Sequence, residues 1–346
     1  MEMILRENAS IRGMAIHKVG NKLSESLHLS KSAFELSNDL HAVFLEYFLS
    51  PFKNREYYNF YHDSDLDLNE VYTYACRLFD DPGSVFIQSV SLAKHLYEKS
   101  THPKIKGGEF YTVYFKDCVL DGVAVEAVGL FKSENKDTFL KVFSSGDGFG
   151  IESEEGININ KLDKGCLVFN TERENGFVVA VIDNTNKGSE AQYWMDDFLH
   201  VRQRKDEFYN TSNVLSLCKD FVTRELPQQF SVSKADQVDL LNKSVKFFKN
   251  NESFDMNEFS TEVIAQPEVI ESFKRFKDSF QRDQDIDMPD TFDISETAVK
   301  KQSRIFKSVI KLDKNFHIYI HGHRELIEQG SDEKGRFYKL YFKEEN

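Results

Sequence analysis

Between Gly107 and Asn184 apolar and polar side chains alternate with a period of two, the repeat of a strand that shows one face to a core and the other away from it. "GEFYTVYFKDCVLDGVAVEAVGLFKS" predicts a hairpin turning at Asp121 and Gly122. "DTFLKVFSSGDGFGIES" predicts another strand pair, and "GCLVFNTERENGFVVAVIDN" a third hairpin turning near Asn175 and Gly176. "SIRGMAIHKVG" reads as an opening strand. The period then lengthens in "SKSAFELSNDLHAVFLEYFLSPF", where Phe34, Leu40, Phe44, Tyr47 and Phe48 predict one apolar helical stripe that Pro51 ends. "LNEVYTYACRLF" and "PGSVFIQSVSLAKHLYEKS" predict two further helices, the second with Pro82 in its first turn and Asp80 or Asp81 as cap.

After Lys187 the pattern is helical through "SEAQYWMDDFLHV", "TSNVLSLCKDFVTREL", "SKADQVDLLNKSVKFFKNN", "DMNEFSTEVI" and "PEVIESFKRFKDSF". An acidic connector follows, with Asp283, Asp285, Asp287, Asp290 and Asp293. The last segments, "SRIFKSVIKLD", "NFHIYIHGHREL" and "GRFYKLYFKEE", return to strands. The expected class is α+β: N-terminal helices with a mainly antiparallel sheet, a helical middle segment and a small C-terminal β-meander. The expected divisions are 1–187 for the α+β domain, 188–283 for the helical region, and 284–346 for the acidic connector, a basic helix and the meander.

Composition limits what such a chain can do. The 346 residues exceed one ordinary core, and 31 phenylalanines and 14 tyrosines supply abundant packing material. With 44 basic and 57 acidic residues the net charge is −13, which opposes indiscriminate contact with nucleic acid or anionic membranes but leaves room for a local basic patch. Cys76, Cys118, Cys166 and Cys218 form no C-x-x-C pair and lie among apolar neighbours, as reduced core thiols do. "MEMILRENAS" lacks the basic start and apolar run of a signal peptide, and no stretch has the ~20 apolar residues of a membrane span, so a cytoplasmic location is expected.

Few residues offer catalytic chemistry. In "NFHIYIHGH" His317, His321 and His323 share one strand face with Tyr319. At roughly 3.3 Å per residue, however, His317 lies about 13 Å from His321, and the remaining pair has no third ligand nearby in sequence. A solvent-facing row is the simpler reading, so no metal, cofactor or catalytic residue is expected. "SGDGFG" is followed by a strand-like segment rather than a helix, which argues against a dinucleotide loop.

Two basic clusters stand out instead. "HVRQRKDEF" holds Arg202, Arg204 and Lys205 between predicted helices. "ETAVKKQSRIFKSVIK" holds Lys300, Lys301, Arg304 and Lys307. If 296–307 is helical, Lys300, Arg304 and Lys307 share one face, and Val299, Phe306 and Ile310 turn towards another. Such a face neutralises phosphates without reading bases.

The order of parts resembles the bacterial nucleoid-associated proteins of the NdpA and YejK type. The carriers are "IRGMAIHKVGN", the hairpin from Gly107, "KGCLVFNTERENGFVVAVIDN" and, above all, "AQYWMDDFLHVRQRKDEFYNTSNVLSLCKDFV". In the last, Trp194, Asp197, Phe198, Leu199, Tyr209, Thr211 and Phe221 resemble the family's helical signature. The resemblance implies nucleoid association, DNA binding, no established catalytic residues and, for some members, topoisomerase partners. The expected function is therefore a non-enzymatic DNA binder with little sequence preference, contacting double-stranded DNA through the basic clusters, with a homodimer doubling the patch. An adaptor brought to the nucleoid by a DNA-bound partner such as a topoisomerase is the alternative, and a metal-dependent enzyme the third.

Overall fold

A computed structural model of the chain describes residues 8–24, 26–53, 55–185, 193–303, 306, 309–312, 314–320 and 324–342. It divides into two units, Met1–Arg204 and Lys205–Asn346.

The first unit is built on an antiparallel sheet. In chain order its elements are β1 (Ser10–Val19), β2 (Leu27–His28), α1 (Asn38–Leu49), β3 (Tyr57–Phe60), α2 (Glu70–Asp80), α3 (Val85–Lys99), β4 (Gly108–Leu120), β5 (Val123–Ser133), β6 (Asp137–Ser145), β7 (Gly148–Gly156), β8 (Lys164–Phe169), β9 (Val178–Asp183) and β10 (Val201–Gln203). Eight of the strands form one sheet, β10-β3-β9-β8-β5-β4-β1-β2. The first predicted hairpin is β4–β5, with Asp121 and Gly122 both in the left-handed region (φ 49° and 84°), as a mirror-image two-residue turn requires. The third is β8–β9, closed through Gly176 at φ 88°. A side chain there would put its Cβ 2.2 Å from the Phe60 carbonyl oxygen, so the turn needs glycine on two counts.

Both faces of the sheet are covered, so β8 is buried at every position, the signature of a strand with no solvent side. On one face Phe110, Tyr114, Val128, Leu130, Cys166 and Val168 pack against α2 and α3, whose buried residues recur at helical spacing (Val71, Ala75, Leu78; Val85, Ser89, Leu92, Leu96). On the other face Tyr111, Val113, Phe115, Phe131, Leu167 and Phe169 pack against Tyr47 and Phe48 of α1 and against Phe52. The Phe48 ring stacks on Phe131 with centroids 4.2 Å apart. Phe34 precedes α1 instead of continuing its stripe: Ser37 begins the helix, and the rings of Phe34 and Phe44 meet edge-on across the entry.

One buried group couples this unit to pH. His17 on β1 accepts a hydrogen bond at Nδ1 from the Ser30 N–H (3.1 Å), so the ring proton sits on Nε2, which donates to Ser89 Oγ on α3 (2.8 Å). Burial lowers its pKa below the ordinary 6.5, because the imidazolium would lose both water and its acceptor role. The unfolded chain therefore binds more protons than the folded one as pH falls through 6.5, and folding weakens in that direction. Melting temperature is expected to drop between pH 7.5 and 5.5, and to drop less in His17→Gln. Equal drops in the two proteins would mean that His17 is solvated.

The four cysteines are free and buried. Burial raises all four thiol pKa values, that of Cys118 to about 12.

The second unit is mainly helical: α4 (Glu207–Asp220), a wider π-helical turn (Phe221–Glu225), α5 (Leu226–Gln229), α6 (Lys234–Asn250), β11 (Ser253–Asp255), α7 (Met256–Phe259), α8 (Pro267–Gln284), β12 (Thr291–Asp293), α9 (Glu296–Ser303), β13 (Val309–Lys311), β14 (His317–Tyr319), β15 (Ile327–Asp332) and β16 (Gly335–Leu340). Ser233 and Asp236 close a reciprocal capping box at the start of α6. Phe221, Phe247, Phe248, Phe254, Phe259 and Phe273 form an aromatic core. Within the acidic stretch Met288 is buried and β12 pairs with β11. The C-terminal strands form two hairpins, β13–β14 and β15–β16. The fold is thus mixed α+β, with a large antiparallel sheet and small two-stranded ones.

Candidate nucleic-acid interface

The first basic cluster straddles the chain division, with Arg202 and Arg204 in the first unit and Lys205 in the second. Arg202 lies on β10, the edge strand beyond β3, opposite Asn59. Val201 points into the core while Arg202 is exposed, as the alternation of a strand dictates. Its guanidinium lies 5.4 Å from the Tyr61 ring centroid. The His200 ring packs 4.4 Å from Tyr61 and 5.9 Å from His62, so the edge carries an aromatic and histidine group that sequence reasoning passed over. Asn69 holds this corner together: its amide donates to the carbonyls of Tyr61, Leu199 and His200 (3.1, 3.1 and 3.0 Å) while its oxygen caps α2. Arg204 differs. It is half-buried and bonded to Glu172 at 2.9 Å, which compensates its charge locally. Lys205 is exposed and opens the second unit.

In the second cluster the helix runs over Glu296–Ser303; Val299 is buried on it, and Phe306 is buried outside it. Lys300 is exposed, with Glu296 3.5 Å away one turn earlier, an i,i+4 pair of little strength between two exposed groups. Lys301 points elsewhere, its Nζ 5.5 Å from the Phe208 ring centroid. Arg304 and Lys307 lie outside the described residues, as do His321 and His323. His317 and Tyr319 are exposed while Ile318 and Ile320 turn inward, so this part of the histidine row faces solvent. Among the described residues no group of three or more His, Cys, Asp or Glu side chains is arranged to hold a metal ion.

The structure adds a third set of cations. Lys243, Lys246 and Lys249 are exposed on α6 at a spacing of three, so each neighbours the next while the row turns about 120° round the helix from first to last. Lys243 pairs with Asp239 at 2.8 Å. Among the described residues Lys246 and Lys249 have no acidic partner within salt-bridge distance. Lys249 and Lys300 line the same open cleft of about 1090 Å³, with Phe248 and Val299 at its base and Glu252 and Glu296 beside them. Two helices thus bring cations 51 positions apart in sequence to one groove. The signal was present as a three-residue lysine period, hidden by Asp236 and Asp239 in the same segment.

A second unforeseen group is buried in the sheet. Lys132 and Lys164 are cross-strand partners on β5 and β8, both fully buried. Lys164 Nζ bonds both Asp183 oxygens (2.8 and 2.8 Å) and Thr185 Oγ1 (2.7 Å). Lys132 Nζ bonds Glu134 (3.0 Å), the Lys106 carbonyl (2.8 Å) and Tyr193 Oη (3.2 Å). Burial lowers the Lys132 pKa, and Glu134 opposes that shift. With these partners present, the group serves as an internal ion network.

Among the described residues no helix is long and apolar enough to cross a membrane. Comparison with curated proteins finds no match. The family described as nucleoid-associated protein YejK matches residues 15–334, which takes in the sheet of the first unit, the helices of the second and most of the C-terminal strands. The chain belongs to that nucleoid-associated protein family.

Proposed function

We propose that the protein is a non-enzymatic nucleoid component that binds double-stranded DNA with little sequence preference, and that the lysine groove of the second unit makes the main phosphate contacts. The observation that carries this reading is the shared cleft of Lys249 and Lys300, continued by Lys246 and Lys243 along α6. The cations are exposed on helices, as contacts to phosphates require; Lys246 and Lys249 have no acidic partner among the described residues, whereas Lys243 and Lys300 each have a carboxylate one turn away. Lys301, Arg304 and Lys307 extend the same basic stretch in sequence. Arg202, with Arg204 and Lys205 beside it, is the secondary contact, weakened by the Glu172 pair. The net charge of −13 confines favourable approach to such patches.

Anisotropy of a labelled duplex over a salt series tests the reading. Log affinity is expected to fall linearly with log salt. Lys246→Glu/Lys249→Glu/Lys300→Glu is expected to weaken binding at least ~10-fold for unrelated sequences and to reduce the slope by about 2–3. Unchanged affinity and slope would remove the groove from the interface.

The same acidic balance favours a second reading, an adaptor that meets a DNA-bound partner such as a topoisomerase through charge complementarity. That reading expects capture of the partner from nuclease-treated extract, with no duplex binding even at low salt.

A further inference from the structure

The hairpin β6–β7 is a two-stranded arm outside the eight-stranded sheet, and nearly every residue on it is exposed. Its sheet has only two members, so among the described residues the outer edge of β7 has no strand beside it. Such an edge is a row of backbone N–H and C=O groups ready to pair with another strand. One face of the arm presents Leu140, Val142, Phe149 and Ile151, which are 72, 61, 80 and 68% exposed. On the other face Lys141 lies between Glu152 (3.0 Å) and Glu154 (3.4 Å). There the rings of Phe139 and Phe143 sit over the bare backbones of Gly156 and Gly150, so the only side chains β7 itself adds are its two glutamates.

We propose that β7 is a docking edge for another protein, which adds an extended segment of alternating basic and apolar residues as a third strand. The inference gives a locus to the adaptor reading and is independent of the lysine groove. Three observations select the occupant. First, the side chains of β7 alternate in kind: Phe149 and Ile151 on one face, Glu152 and Glu154 on the other. A strand laid against that edge sets its own side chains about 5 Å from these, apolar beside the first pair and basic beside the second.

Second, the arm is acidic. Asp137, Asp147, Glu152, Glu154 and Glu155 stand against Lys141, a balance of 1 − 5 = −4. Nucleic acid and anionic lipid are repelled, and a cationic segment is drawn in. One ammonium shared by Glu152 and Glu154 leaves that face negative, whereas the β6 edge carries Lys141 and repels the same segment.

Third, a second copy of the chain fits this edge poorly. Antiparallel pairing of β7 with itself around the glutamates would set like charges opposite one another. Pairing β7 with the β6 edge of another copy would leave the next edge open, a head-to-tail contact that does not close.

Anisotropy of labelled synthetic peptides, titrated with the full chain freed of nucleic acid, tests the proposal. One peptide alternates lysine with valine; the other holds the same residues as a lysine block followed by a valine block. The alternating peptide is expected to bind with a Kd on the order of 10 μM, as suits a small contact, and the block peptide at least ~10-fold more weakly. Glu152→Lys/Glu154→Lys and Phe149→Thr/Ile151→Thr should each weaken the alternating peptide by ~10-fold or more. Lys246→Glu/Lys249→Glu/Lys300→Glu, which disables the groove, should not weaken it. Melting followed by Trp194 fluorescence verifies that the body of the first unit is folded in each variant. A benzophenone amino acid placed at Ile151 and irradiated in intact cells should link to a different protein, through a segment in which basic and apolar residues alternate. Equal affinity for the two peptides, or native-like binding by the glutamate variant, overturns the proposal. So do crosslinks that are absent or formed only to a second copy of the chain or to nucleic acid. A partner captured equally from nuclease-treated extract by the native chain and the glutamate variant removes the β7 locus and leaves the adaptor reading standing.

Discussion

Lys164→Met is expected to lower the unfolding free energy of the first unit by about 3–5 kcal/mol. The native Nζ is fully buried and satisfies both oxygens of an Asp183 side chain that is itself only 12% exposed. Methionine fills the volume but leaves the carboxylate facing Tyr193 and the sheet without its cation. The cost comes from stranding a charge, so it should be recovered in part by Lys164→Met/Asp183→Leu, which removes both charges. Urea titration reads this directly, because Trp194 is the single tryptophan and lies fully buried in the first unit. A single-variant loss under about 1 kcal/mol would mean that water reaches the pair.

Phe48→Ala should cost a similar amount for an unrelated reason. Its ring lies on Phe131 at 4.2 Å and meets Tyr111 and Phe44 at 5.3 Å each, so truncation opens a cavity against interior strands of the sheet. Loss of about 3–5 kcal/mol is expected by the same urea titration. Phe149→Ala, the same change at a ring that is 80% exposed on the arm, should alter monomer stability by less than ~0.5 kcal/mol. Comparable losses at the two positions would show that the arm packs onto its own chain.

The contrast between those phenylalanines marks what was legible in the sequence. Alternation and turn chemistry located β4–β5, β6–β7 and β8–β9, because a period of two and an Asp-Gly or Asn-Gly pair have direct backbone meaning. They carry no information on cover. "DTFLKVF" and "FYTVYFK" alternate alike, yet one stands in solvent and the other in the sheet. Strand β15, "IEQGSD", has one buried apolar side chain and owes its strand to pairing with β16, so no local pattern announces it. The π-helical turn at Phe221–Glu225 is likewise invisible to a periodicity argument, since it shifts the helical phase by a fraction of a turn.

The site divides in the same way. Runs of adjacent basic residues were visible, and Arg202 and Lys300 are indeed exposed. Their worth depends on neighbours that are distant in sequence: Glu172 beside Arg204, Lys249 across the cleft from Lys300. Lys132 and Lys164 mislead in the opposite sense. Each sits at the end of an apolar run where a lysine ordinarily reaches water, and only the β5–β8 register reveals that they oppose one another inside the sheet.

Burial of all four cysteines has a consequence for life in an oxidising cell. Peroxide attacks thiolates, and thiols raised this far above neutrality and closed off from solvent present almost none. Oxidative stress that inactivates thiol-dependent enzymes is therefore expected to leave these four cysteines unmodified.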